Sequence, residues 1–75
     1  MSVLGEIIRE TRVKRRLSLQ DVAIGAGITK THIWDMETGR AQNPTIETIL
    51  KLAVSLDINP HRLVKASLFD VGYRK

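Results

Sequence analysis

Hydrophobic residues recur at intervals of three and four along most of the chain, a spacing that places them on one face of a helix. In the first such segment, over about residues 2–15, this face consists of Leu4, Ile7, Ile8 and Thr11. The segment ends in a basic turn, which is typical of a helix C-terminus because the helix dipole favours cations there. The pattern therefore predicts a first helix that buries one side.

Two shorter helices follow, and each begins at a residue suited to cap it. Ser18, with Asp21 three residues later, resembles a capping box, so a second helix is expected to begin there. Its expected buried positions are Val22, Ala23 and Ala26. Gly27 can adopt positive φ without a steric penalty, which suits a tight turn into the next helix. Thr29 is the expected N-cap of that third helix, which runs to about Thr38. Its inner face is expected to hold Ile33 and Met36.

The same start signals occur twice more. Pro44 and Thr45 are expected to open a fourth helix. Its expected buried stripe is Ile46, Ile49, Leu50, Ala53 and Leu56. Asn59 as N-cap and Pro60 at the first helical position open a fifth helix. The expected buried positions of this last helix are Leu63 and Val64.

The end of the chain carries mixed signals. In residues 68–75, Phe69, Val71 and Tyr73 alternate with polar or small residues, which fits a short strand, a dimer contact or a flexible end. No earlier segment has strand periodicity, and the sequence contains no internal repeat. The predicted architecture is all-α, with five short helices in one domain over residues 1–67 and a C-terminal tail over 68–75.

The charge of the chain favours an anionic partner. Its 75 residues carry a formal charge of +4 and give a pI near 10.0. The cations are clustered, with Arg9, Arg12 and residues 14–16 falling within eight positions, whereas the acids are scattered. A cluster of this kind is compatible with a nucleic-acid contact and also with an ordinary solvated helix face.

Several other classes of protein are disfavoured. The absence of cysteine fits a reducing compartment such as the cytoplasm, and charges at Glu6, Arg9 and Glu10 interrupt any signal peptide. No apolar run is long enough to span a bilayer. His32 and His61, the two histidines, lie on different predicted helices with no catalytic or metal-ligand spacing. We therefore expect neither an enzyme nor a bound cofactor or metal.

Six short motifs occur in an order and spacing that identify a family. They are Leu17-Ser18, Val22-Ala23, Gly27, Ile33, residues 37–40 and residues 43–48. Over about residues 4–63 the chain resembles the helix-turn-helix domains of the phage lambda repressor and Cro type, also called the XRE family. The resemblance implies a lambda-repressor-like bundle from a bacterium or phage, whose third helix enters the major groove of double-stranded DNA. It further implies a transcriptional regulator, expected to be a repressor, that binds an inverted repeat as a homodimer.

The resemblance also assigns DNA-contacting residues. The base-contacting candidates are Lys30, Thr31, Trp34 and Asp35. Lys30 suits guanine O6 and N7, the Thr31 methyl suits thymine, and Asp35 suits cytosine N4. The backbone-contacting candidates are Ser18, Gln20, Thr38, Arg40, Gln42 and Asn43. Arg12 and Glu37 occupy positions where related domains hold an ion pair.

The sequence departs from the family at two positions and leaves several alternatives open. Leu19 stands where the family usually has a phosphate-gripping glutamine, and Arg16 where a glycine often lies. For single residues, the alternatives are that Trp34 folds back over the second or fourth helix as an edge of the core, and that Asp35 enforces specificity by repulsion or pairs with Lys30 or Lys51. The alternative for function is a protein-binding module, such as an antitoxin or adaptor, with an apolar surface formed by Ile7, Val13, Leu19 and Ile24. The expected dimer contacts are Leu63, Val64, Leu68, Phe69 and Tyr73.

Overall fold

Five α-helices account for most of the computed structural model, which describes residues 2–41 and 44–72. They are α1 (Val3–Lys14), α2 (Leu19–Ala26), α3 (Lys30–Thr38), α4 (Ile46–Leu56) and α5 (Pro60–Asp70). The described ranges contain no strand. The all-α, five-helix prediction is therefore confirmed.

Each helix begins where a polar side chain accepts a backbone N–H of the first turn. These N-caps are Ser2, Ser18, Thr29, Thr45 and Asn59. At α2 the capping box is reciprocal, because Ser18 Oγ accepts from the Asp21 N–H at 3.0 Å and Asp21 Oδ2 accepts from the Ser18 N–H at 2.8 Å. These bonds to Ser18 hold the pKa of the Asp21 carboxyl below its ordinary value of 3.8. Between α2 and α3, Gly27 has the expected positive φ of 69°.

One apolar core joins the five helices. Its fully or nearly buried members are Leu4, Ile8, Val22, Ala23, Ala26, Ile33, Met36, Ile49, Leu52, Ala53, Leu56, Leu63 and Ala66. In this core α1 packs against α3 and α5, while α2 packs against α3 and α4, and α4 also packs against α5. Because α3 rests mainly on α1 and α2, its remaining surface faces solvent.

The predicted buried stripe of α4 is partly wrong. Ile46 and Leu50 are 61% and 47% exposed, whereas Leu52 is fully buried and was not predicted. The inner face consists of Ile49, Leu52, Ala53 and Leu56. This helix is apolar on two adjacent faces, and α2 and α5 cover one of them. Hydrophobic periodicity alone does not distinguish the covered face from the uncovered one.

The last helix extends further than expected. α5 continues through the predicted boundary between residues 67 and 68 and ends at Asp70, so no strand forms within 68–72. The Asp70 carboxylate accepts the backbone N–H of Val3 at 2.8 Å and of Leu4 at 2.9 Å. The end of α5 thereby supplies a negative charge to the positive end of the α1 dipole. Residues 73–75 of the predicted tail lie outside the described residues.

Gly5 allows α1 to approach the end of α3 at very short range. A Cβ at this position would collide with the carbonyl oxygen of Met36 and would lie 2.8 Å from that of Glu37. We therefore expect Gly5→Ala to lower the free energy of unfolding by about 1 to 3 kcal/mol, because backbone atoms must separate. This loss runs against the intrinsic preference of a helix for alanine. Urea denaturation measures it directly.

Gly25→Ala is the matched control for this substitution. Gly25 is also helical, but its Cβ would meet only the Ser55 side chain, at 2.7 Å from Oγ, and a serine side chain can rotate away. We expect a change within about 0.5 kcal/mol. Equal destabilisation by the two substitutions would contradict the close approach of α1 to α3.

Candidate nucleic-acid interface

α3 presents one buried face and one open face. Ile33, Met36 and Glu37 are buried, and they fix the helix against its neighbours. On the opposite side Lys30 and Thr31 are exposed, Trp34 is 48% exposed and Asp35 is half-buried. Trp34 therefore lies on the open face with about half of its surface exposed, and its contact with DNA stays a prediction. The open face carries an ammonium group, a hydroxyl with a methyl, an indole and a carboxylate.

A shallow groove borders this face on the α1 side. Its volume is about 350 Å³, and Arg9, Trp34, Glu37 and Thr38 line it. Sequence reasoning did not assign Arg9 to the site, although Arg9 lies one turn before Arg12, whose position against α3 was expected. That spacing was the available signal, since residues three apart share a helix face. The groove adds an exposed cation beside Trp34.

The N-terminus of α2 borders the same face on its other side. Gln20 and Lys30 line one groove of about 290 Å³ between α2 and α3, so the structure brings a backbone candidate next to a base candidate. Ser18 and Gln20 are exposed, while Leu19 is half-buried against the core. The N–H groups of Leu19 and Gln20 stand at the first two helical positions, where a helix provides no acceptor. They are therefore suited to an anion, as at other helix N-termini.

At the C-terminal end of α3, the hydroxyl of Thr38, a backbone-contacting candidate, is already hydrogen-bonded within the helix. The Thr38 hydroxyl donates to the carbonyl of Trp34 at 2.9 Å and lies 3.3 Å from that of Asp35. Its proton is used within the helix, so the hydroxyl can accept a hydrogen bond but cannot donate one without rotating. Arg40, just after Gly39, is exposed. Gln42 and Asn43 lie outside the described residues.

Asp35 has no cationic partner in the part of the chain that the structure describes, so pairing with Lys30 or Lys51 is not observed there. Lys51 instead lies 3.3 Å from Glu47 on its own helix. The Asp35 carbonyl accepts the N–H of Ala41 at 3.0 Å, which fixes the chain after α3. The carboxylate itself stays available to a partner outside the chain.

The expected ion pair beneath the face is confirmed. Arg12 Nε donates to Glu37 Oε2 at 2.7 Å and Arg12 Nη2 donates to Oε1 at 3.1 Å. Arg12 also donates to the carbonyl of Leu17 at 3.0 Å, which ties the α1–α2 turn to α3. Only 1% of the Glu37 side-chain surface is exposed. Such a bidentate pair fixes geometry, and it removes Glu37 from the charges that a DNA phosphate would meet.

The α1–α2 turn contains a strained backbone position at Arg16, one of the two departures from the family. Arg16 has φ of 59°, the left-handed region that a glycine adopts without penalty. For a residue with a side chain this conformation costs about 1 to 2 kcal/mol. The turn therefore keeps the geometry associated with the family's usual glycine despite the departure in sequence.

The exposed apolar residues only partly match the protein-binding surface and the dimer contacts expected from the sequence. Ile24 and Val13 are 71% and 54% exposed, but Ile7 and Leu19 are partly buried. Among the expected dimer contacts, Leu63 is fully buried, so its assignment to a dimer surface is wrong. It points into the core because α5 packs on α1 and α4. Tyr73 lies outside the described residues.

Within residues 2–41 and 44–72, no helix has the length and apolar character needed to cross a membrane.

Comparison with protein families and curated proteins gives one consistent result. A family described as "Helix-turn-helix domain" matches residues 3–64. The HTH-type transcriptional regulator DdrOP3 of Deinococcus deserti is 39% identical over 66 residues, which cover 88% of this chain and 50% of that protein. The chain spans about half the length of the curated relatives it matches.

Solved structures share the fold at similar identity. The restriction-modification controller protein C.AhdI from Aeromonas hydrophila has a TM-score of 0.77 and 34% identity, over 83% of this chain and 92% of that chain. SinR, a master regulator for biofilm formation and an HTH-type regulator of Bacillus subtilis, was solved in complex with DNA. It has a TM-score of 0.77 and 30% identity, over 81% of this chain and 97% of that chain.

Proposed function

The chain belongs to the helix-turn-helix family of the lambda repressor and Cro type, and from this premise we propose that it is a sequence-specific, double-stranded DNA-binding transcriptional regulator, acting as a repressor. The observation that carries the proposal is the open face of α3, whose other side is locked into the core. Lys30, Thr31 and Trp34 project from this face. The proposed activity needs no catalytic step and no cofactor, and it takes place in the cytoplasm of a bacterial cell.

Base recognition is proposed to come from α3 in the major groove, where each base pair presents a distinct set of donors and acceptors. Lys30 donates to guanine O6 and N7, and the Thr31 methyl contacts the thymine methyl. Asp35 accepts from cytosine N4, which its lack of a cationic partner in the described chain permits. Trp34 lies one turn after Lys30 and packs beside the groove wall, with Arg9 next to it.

Backbone contacts are proposed to hold α3 in place. The N–H groups of Leu19 and Gln20 and the side chains of Ser18 and Gln20 bind one phosphate. These contacts compensate for the glutamine that the family usually has at position 19 and that this chain lacks. Arg40, Gln42 and Asn43 bind a second phosphate beyond α3. Thr38 contributes only after its hydroxyl rotates away from the helix carbonyls.

Specificity is proposed to require two copies of the chain. One module of this size contacts few base pairs, so a homodimer on an inverted repeat, with half-sites about 34 to 36 Å apart, doubles the sequence that is read. Val64, Leu68 and Phe69 on α5 remain candidate contacts from the sequence, since Leu63 is buried.

The second candidate function is a protein-binding module, such as an antitoxin or adaptor. The observation that favours it is the exposure of Ile24 on α2 and Val13 on α1, since exposed apolar side chains suit a protein partner. These two residues lie on different helices, and α3 carries polar groups suited to base edges. We therefore place DNA binding first.

The emission of Trp34 provides a direct test. Trp34 is the only tryptophan and is 48% exposed, so its fluorescence reports what contacts α3. Addition of duplex DNA is expected to change this emission, with an apparent affinity that falls steeply as salt rises because phosphate contacts release counterions. Free tryptophan titrated with the same DNA corrects for absorption. Unchanged emission of the folded protein at low salt, with pooled random duplexes, would contradict the proposal.

A further inference from the structure

α4 carries an apolar ridge that the chain itself leaves open. Ile46, Leu50 and Val54 are spaced four residues apart, and they are 61%, 47% and 81% exposed. Residues at this spacing form a continuous row along a helix. We call these three residues the α4 ridge.

The surroundings of the α4 ridge are shaped to receive a second helix. A groove of about 280 Å³ runs along one side, between α4 and Gly25 and Ala26 of α2. A groove of about 570 Å³ runs along the other side, between α4 and the start of α5. A ridge flanked by two grooves is the surface that helices use when their i±4 rows interdigitate, which is the commonest class of helix packing.

We propose that the α4 ridge is the surface through which two copies of this chain pair, with their α4 helices antiparallel about a two-fold axis at Leu50. The ridge is self-complementary in this arrangement. Leu50 meets Leu50 of the second copy, and Ile46 meets Val54 at both ends. A two-fold interface of this kind uses the same patch on both copies. This deepens the proposed function, which requires a homodimer, by giving that dimer its interface.

The charges beside the ridge favour a second copy over an unrelated partner. Glu47 and Lys51 lie along one flank and are 3.3 Å apart within the chain. In the antiparallel arrangement Glu47 of each copy comes beside Lys51 of the other, which gives two equivalent pairs of opposite charge. Opposite charges that meet across an interface favour this pairing.

The position of the ridge is also compatible with DNA reading. α4 packs against α2 and α5, whereas α3 packs mainly against α1 and α2. The reading face and the α4 ridge therefore belong to different helices. The expected dimer surface on α5 has lost one of its members to the core, because Leu63 is fully buried.

Sedimentation equilibrium without DNA tests the interface. Val54→Asp places a carboxylate on the ridge at a side chain that is 81% exposed, so the fold is kept, as circular dichroism will verify. We expect self-association to weaken by about thirtyfold or more, because each dimer buries two carboxylates against Ile46, one at either end of the ridge. Leu68→Asp tests the competing surface on α5, which the sequence indicated, and is expected to leave self-association unchanged because the α4 ridge, and not α5, forms the interface. A monomeric wild-type chain, or dissociation by Leu68→Asp but not by Val54→Asp, would overturn the proposal.

Exchange of the flanking charges tests whether Glu47 and Lys51 of one copy meet the same flank of the other copy. Glu47→Lys gives a chain with two cations on the flank, and Lys51→Glu gives one with two carboxylates. Each variant alone is expected to self-associate more weakly than wild type, while an equimolar mixture forms a heterodimer as tight as the wild-type dimer. A mixture no tighter than either variant alone would overturn the arrangement.

The DNA proposal and the interface proposal fail in different ways. If wild type binds an inverted repeat while Val54→Asp remains a dimer, only the interface is wrong. If Val54→Asp dissociates the dimer while no duplex changes the emission of Trp34, the interface holds and the DNA-binding function is wrong.

Discussion

Replacement of Arg12 by alanine is expected to lower the free energy of unfolding by about 3 to 5 kcal/mol, because it leaves a buried carboxylate without its partner. Only 1% of the Glu37 side-chain surface is exposed, and the guanidinium of Arg12 donates to both of its oxygens. The same arginine holds the carbonyl of Leu17. Its loss therefore weakens the α1–α2 turn together with the contact between α1 and α3.

Urea denaturation of three variants separates the pair from its parts. Arg12→Lys keeps the charge but not the two-pronged geometry, so we expect it to recover only part of the lost stability. The double variant Arg12→Met with Glu37→Leu removes both charges, and it is expected to be more stable than Arg12→Ala because no charge is stranded. A loss below about 1 kcal/mol in Arg12→Ala, the range of an exposed ion pair, would show that the pair is not the buried link described.

Replacement of Lys30 by glutamate is expected to weaken specific DNA binding by roughly a thousandfold or more. The substitution removes a base contact worth about 1 to 3 kcal/mol. It also places a carboxylate against the groove, and repulsion between like charges adds several kcal/mol. Lys30 is exposed at the start of α3, so the stability of the fold is expected to change little. Fluorescence anisotropy with a labelled duplex at fixed salt measures the loss.

Lys65→Glu is the matched control for this prediction. Lys65 is exposed on α5, and its substitution changes the net charge by the same amount. If Lys30 contacts a base, Lys65→Glu weakens binding far less than Lys30→Glu does. Equal losses in the two variants would show that only the total charge of the protein matters, and the proposed role of Lys30 would then be wrong.

Local signals predicted the helix starts well. Ser18 with Asp21, Thr29, and Asn59 with Pro60 each mark a helix start through an interaction within a few residues, and all three are observed. Gly27 adopts the left-handed conformation expected of the turn. These features depend on short stretches of chain, so the sequence contains the information needed to place them.

The errors concern contacts between distant parts of the chain. Ile46 and Leu50 are exposed although they were expected in the buried stripe, and Leu52 is buried without having been expected there, because the outcome depends on which face of α4 meets α2 and α5. The Asp70 carboxylate caps α1 from 66 and 67 positions away, and no local pattern predicts that bond.

The candidate site shows the same division between local and distant information. The resemblance correctly paired Arg12 with Glu37 and placed the open face of α3. Neither the resemblance nor the hydrophobic pattern predicted that Arg9 would border Trp34 or that the Thr38 hydroxyl would be engaged within its helix. Both depend on side-chain positions fixed by packing, and the DNA contacts themselves remain predictions.

Selection from a random duplex library at near-physiological salt, followed by sequencing of the retained DNA, tests the central claim most directly. The account predicts enrichment of an inverted repeat whose half-sites are about one helical turn apart. Its half-site is expected to contain a guanine whose exchange weakens binding by wild type more than by Lys30→Ala. Retention of no common sequence by protein that is shown to be folded would contradict the proposal that α3 reads DNA.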